Sequence, residues 1–203
     1  MKSNKLNSIS NFLKKAPLAL LFFPALAFAH TEDDAYGFVS GFTHPILGYD
    51  HLLAMLSVGI LSAQLGGRYI WIIPSLFVSF MLMGGILGAM DVGLPFVELG
   101  IALSVIVLGV AIVYSHIKQN LLLILAFTCS FGTLHGHAHG VEMPSSVSPV
   151  FYSFGFMMST ASIHLVGVFI GHLIIKHQQQ QKLQTYLGSL VATAGCYIFY
   201  TLY

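Results

Sequence analysis

Apolar residues along this chain come in blocks, and the blocks have the length of membrane spans. After a polar stretch at Thr31 to Asp34, hydrophobic segments run over about 41–64, 68–90, 95–115, 119–139, 149–175 and 184–203. A helix rises 1.5 Å per residue, so each segment is near the ~20 residues that a bilayer core requires. The period-two alternation of a membrane β-strand is absent. The pattern predicts an all-α, polytopic membrane protein with six transmembrane helices. The intervening loops are short, so sequential helices are expected to pack as antiparallel neighbours.

Composition agrees. Of 203 residues, 56% are hydrophobic and only 7% are charged, against roughly a quarter charged in soluble domains. A net charge of +1 lacks the basic excess that nucleic acid demands, so the predicted surroundings are the lipid bilayer. Self-association into a homo-oligomer is left open. Cys129 and Cys196 both lie in apolar stretches and read as small buried hydrophobes, not as a disulfide.

Charge supplies the orientation. Lys2, Lys5, Lys14 and Lys15 precede a short apolar core at 16–26, and Ala27-Phe28-Ala29 follows as a small-x-small cleavage site. The expectation is a cleavable signal peptide over 1–29 and a transmembrane domain over 30–203, with an uncleaved signal anchor as the alternative. The mature chain then starts at His30 on the periplasmic side of a bacterial inner membrane. Six spans from that start place Arg68, His116, Lys118, Lys176 and Lys182 on the cytoplasmic side, as the positive-inside rule requires. Glu32, Asp33, Asp34, Asp91 and Glu142 fall outside, where they favour the arrival of cations.

The candidate chemistry is in the histidines, ten of them against eight lysines and arginines. The first segment reads Gly41-Phe-Thr-His44-Pro-Ile-Leu-Gly-Tyr-Asp50-His51. On a regular helix His44 and His51 lie within ~20° of each other, with Asp50 flanking them by about 100° and Met55 one turn further in. Pro45 and Gly48 allow a kink there, which frees backbone carbonyls. An aspartate inside a span is expensive unless paired or functional. A structural Asp50–histidine hydrogen bond is the bland reading, but it leaves a second cluster unexplained.

That cluster is Leu134-His135-Gly136-His137-Ala138-His139-Gly140-Val141-Glu142. His135, His139 and Glu142 share one helical face, while His137 points away unless the flanking glycines unwind the helix. Imidazole suits nickel, cobalt, copper and zinc, and carboxylate offsets the charge of a dication. The predicted metal ligands are therefore His44, Asp50, His51, His135, His139 and Glu142. His137, His164, Glu98, Met55 and His30 are secondary candidates, His30 because a free N-terminal amine and its imidazole chelate together. His116, His172 and His177 read as surface residues.

At these two clusters the chain resembles the HupE/UreJ family of bacterial membrane proteins. The family's His-x5-Asp-His is matched by His44, Asp50 and His51, and its Phe-His-Gly-x-Ala-His-Gly-x-Glu by the stretch from Leu134 to Glu142. Leu134 departs from the usual Phe, and His137 is an extra histidine. The resemblance implies a nickel or cobalt permease serving hydrogenase or urease maturation, working by secondary transport or facilitated diffusion. The ion would be bound transiently as substrate, with no prosthetic group. No Walker phosphate loop contradicts this. The rival is an intramembrane metalloenzyme, a hydrolase or oxygenase, but the chain has neither a His-Glu-x-x-His helix nor a repeated His-x-x-His-His box. The expectation is a transporter and not an enzyme.

Overall fold

The computed structural model describes residues 32–114 and 120–202. The signal-peptide expectation, His30, His116 and Lys118 lie outside these residues. Seven helices follow one another, with no strand among the described residues: α1 (Glu32–Leu47), α2 (Tyr49–Leu65), α3 (Tyr69–Ala89), α4 (Val97–Val113), α5 (Leu121–Val141), α6 (Pro149–Lys176) and α7 (Gln180–Thr201). Helices α3, α5 and α6 are each long and apolar enough to cross a membrane. Helices α1 and α2 are long and apolar enough only together, as a broken span or a re-entrant pair bent by 79°. Helix α4 is apolar but has 17 residues, and α7 begins with the polar turn Gln180-Gln181-Lys182. Over the described residues this membrane protein is all-helical, with three to four candidate spans.

The sequence treats the first span as one helix starting near residue 41. The structure corrects the start, since the acidic stretch is already helical from Glu32, and turns the expected kink into a full break at Gly48. Pro45 brings no N–H and its ring crowds the preceding turn, and Gly48 then takes an extended conformation (φ −79°, ψ 107°). Other ends have ordinary causes. Gly66 and Gly67 adopt left-handed φ of 68° and 57° after α2, as residues stopping a helix often do. The Asn120 side chain accepts from the Leu122 and Leu123 amides to start α5, and Pro149 opens α6.

The expectation of antiparallel sequence neighbours fails. The most intimate pairs are α3 with α5, α4 with α7, and α6 with both α1 and α2. Small residues decide this, because lipid gives helices no hydrophobic push and close backbone approach must supply the contact. Along α3 and α5, Phe77 meets Gly132, Met81 meets Gly136, and Gly85 meets Gly140, so the two helices run parallel. A Cβ at Gly136 would land on the Met81 carbonyl. Helices α2 and α6 are also parallel, with Gly59 against His164 and Gly167, and Ala63 against Gly171. Helices α4 and α7 are antiparallel, with Gly109 against Gly188 and Ile106 against Gly195. A core of Met55, Val58, Phe77, Met81, Val105, Tyr152 and Phe156 fills the space between the pairs.

Candidate metal centre

The break at Gly48 makes the site. It turns α1 across the end of α2, so His44 and His51 no longer share a helical face. Their rings still lie 6.2 Å apart, centroid to centroid. Asp50 falls in the first turn of α2, where unpaired amides welcome a carboxylate. Its Oδ1 accepts from the His51 amide and from His51 Nδ1, both at 2.8 Å. The Asp50–histidine hydrogen bond is therefore real, and it also fixes which ring nitrogen of His51 carries the proton.

Helix α5 brings the second cluster against the first. His135 and His139 are both 0% exposed. The His51 ring touches both, at 5.0 Å to His135 and 4.6 Å to His139, and His44 lies 4.9 Å from His139. Glu142, just past the end of α5, accepts from His44 Nε2 at 2.9 Å. That hydrogen bond holds the Glu142 carboxyl below its ordinary pKa. All six principal candidates thus assemble into one column, open to the surface at Glu142 and His44 and closed at His135.

The hydrogen bonds leave a definite set of lone pairs. His51 spends Nδ1 on Asp50 and His135 spends Nδ1 on the Phe131 carbonyl at 2.8 Å. Each then presents a bare, buried Nε2 without a partner, and both nitrogens of His139 are unpartnered. Carboxylate or carbonyl on one ring nitrogen, with the other left free, is how proteins prepare histidines for metals. The rings stand edge to face at 64–75°. Among the described residues, no three His, Cys, Asp or Glu side chains already surround one point as ligands.

The secondary candidates separate. His137 is turned away, because α5 stays regular through Val141, and its Nε2 donates to the Val92 carbonyl at 2.8 Å. Met55 is wholly buried in the apolar core. Glu98 is exposed at the start of α4, within electrostatic range of Glu142, Asp50 and His51. His164 is buried in the middle of α6 and does not join the column. His172, read from sequence as a surface residue, is buried with Nδ1 unpartnered; Gly171 beside it lets α2 close over that part of α6. Sequence reasoning passed over Tyr152, whose ring lies 6.2 Å from His44, and Phe156, which stacks on His139 at 5.1 Å. Aromatic residues in apolar helices are too common to have signalled either.

A helical membrane protein with a buried imidazole cluster backed by carboxylates is the class that fold and site define. The profile described as HupE / UreJ protein matches residues 18–198. "Protein HupE" of Rhizobium leguminosarum bv. viciae is 37% identical over 179 residues, covering 88% of this chain and 92% of that protein. The chain belongs to the HupE/UreJ family. No solved structure matches it.

Proposed function

We propose that this chain carries a divalent transition metal, nickel or cobalt, across the bacterial inner membrane into the cytoplasm, by secondary transport or facilitated diffusion. The observation that carries the reading is the column of four imidazoles, three of them with buried, unspent ring nitrogens, backed by Asp50 and Glu142. Family membership motivates the choice of nickel or cobalt.

At the rim, the Glu142 and His44 side chains are 46% and 31% exposed and meet the hydrated ion first. The carboxylate draws the dication, and imidazoles replace its water stepwise. His139, His51 and His135 take it inward, their rings rotating from edge contact to present nitrogen. A transported ion must be bound well enough to shed water yet released again, and mixed nitrogen and oxygen ligands suit that balance.

The helix directions support six spans. In an alternating bundle the first and fifth spans run the same way, as do the second and fourth, while the third and sixth oppose. The α2·α6, α3·α5 and α4·α7 pairs have those directions.

Uptake of radiolabelled nickel and cobalt by cells expressing the chain tests the proposal, and a proton uncoupler reads the energy source. Partners of metal-binding histidines are worth about 10- to 100-fold in affinity. Asp50→Asn and His135→Ala are therefore expected to reduce accumulation to background while the protein still reaches the membrane. Accumulation at the unmodified level in both variants refutes the assignment.

A further inference from the structure

His164 has no use in the site described so far. It is 1% exposed near the middle of α6, and neither ring nitrogen has a hydrogen-bond partner. An unmet buried polar group is costly, and such groups in a native structure call for an explanation. Its backbone is held firmly, since Gly59 of α2 packs on the His164 carbonyl so closely that a Cβ would overlap it.

One side chain touches both this imidazole and the outer column. The Phe77 ring, 0% exposed, stands edge-on to His164 at 5.2 Å and 88°, and tilted against His135 at 5.5 Å and 59°. Going inward from His135, the next imidazole is across a single phenyl ring. One turn along α3 from Phe77, Met81 accepts from the Thr160 hydroxyl through its sulfur at 3.6 Å. Thr160 is itself one turn before His164 on α6. The approach to His164 is thus bordered by a thioether and a hydroxyl, not by aliphatic carbon alone.

We infer that His164 is a second, inner station for the transported dication, and that the Phe77 ring is the partition that must swing aside for the ion to pass from His135 to His164. This rests on the transport reading above. A buried phenyl ring is a barrier to a hydrated ion, because a hydrophobic constriction excludes water. Its face also attracts a cation at short range, so the barrier need not repel an ion already stripped of water. Such a partition keeps the outer column and the inner route from being open together.

Cobalt titration of the purified full-length protein, followed by its visible spectrum and by stopped flow, tests the inference alongside cellular uptake. The unmodified protein is expected to bind one equivalent quickly and a second slowly. His164→Ala and His164→Gln should each lose the second equivalent, keep the first, and lower uptake at least fivefold. Phe77→Ala should keep both equivalents and load the second at least tenfold faster. Two equivalents and full uptake in both His164 variants overturn the inner station, and an unchanged slow phase in Phe77→Ala overturns the partition. Failure of the underlying reading is distinguishable, because Asp50→Asn would then also leave uptake intact.

Discussion

Two helix pairs in this protein are closed by glycine in the same way, yet only one borders chemistry. In α4·α7 the Gly109 and Gly188 backbones meet, and a Cβ at Gly188 would lie 2.6 Å from the Gly109 carbonyl. Neither helix carries a histidine, and the buried Ser104 hydroxyl is spent on its own helix, on the Ile101 carbonyl. In α3·α5 the stripe Gly132, Gly136 and Gly140 does the same packing, but His135 and His139 each precede a glycine of that stripe. One residue is about 100° of helix rotation. Seating the glycines against α3 therefore turns the histidines toward α2, where His51 waits. The same contact that holds one pair together aims the side chains of the other.

Filling each seam in turn separates the two pairs most directly. Gly136→Val puts a side chain where the Met81 carbonyl lies, pushing α5 off α3 and rotating His135 and His139 out of register. Metal affinity and uptake are expected to fall at least tenfold, about 1.4 kcal/mol or more. Gly188→Val overlaps backbone of α4 in a comparable way, and should lower the melting temperature while leaving cobalt affinity within about threefold. Equal losses of affinity in the two variants would show that close packing merely stabilises the bundle.

This division explains what the sequence could disclose. The histidine–glycine register from His135 to Gly140 is written in adjacent residues, so the second cluster and the outward turn of His137 were readable. So was a kink near Pro45 and Gly48, because both residues act on their own backbone. Helix partners were not readable. Glycine stripes occur in α3, α5 and α6 alike and do not name the surface each will meet, which is why parallel pairing went unforeseen. Phe77, Tyr152 and Phe156 were invisible for a related reason: only the fold places them against imidazoles. His172 reads as a surface residue because its burial comes from α2, a partner distant in sequence.

A subtler change separates the break from the packing. Gly48 has an ordinary φ, so alanine is sterically allowed there, but helix propensity rises by about 1 kcal/mol and favours a straight helix through residue 48. The added Cβ would also lie 3.2 Å from Asp50 Oδ1 and 3.4 Å from His51 Nδ1, crowding the pair that fixes the His51 tautomer. Gly48→Ala is expected to weaken cobalt binding by about three- to tenfold with the melting temperature unchanged or raised. Loss of stability with affinity intact would mean that the bend serves only the fold.

The smallest effect is expected at His137, and it marks the edge of the cluster. Its ring is hydrogen-bonded to the Val92 carbonyl and lies on the side of α5 that faces away from His51. Truncating it removes a tie between α5 and the connection from α3 to α4, worth on the order of 1 kcal/mol, and takes no ligand from the column. His137→Ala should therefore leave cobalt affinity and uptake within about twofold, while amide hydrogen exchange quickens around Val92. A tenfold loss of affinity, or a switch in the preferred metal, would mean that α5 unwinds at Gly136 and Gly140 when the ion binds. The aiming role assigned to the glycine seam would then hold only for the metal-free state.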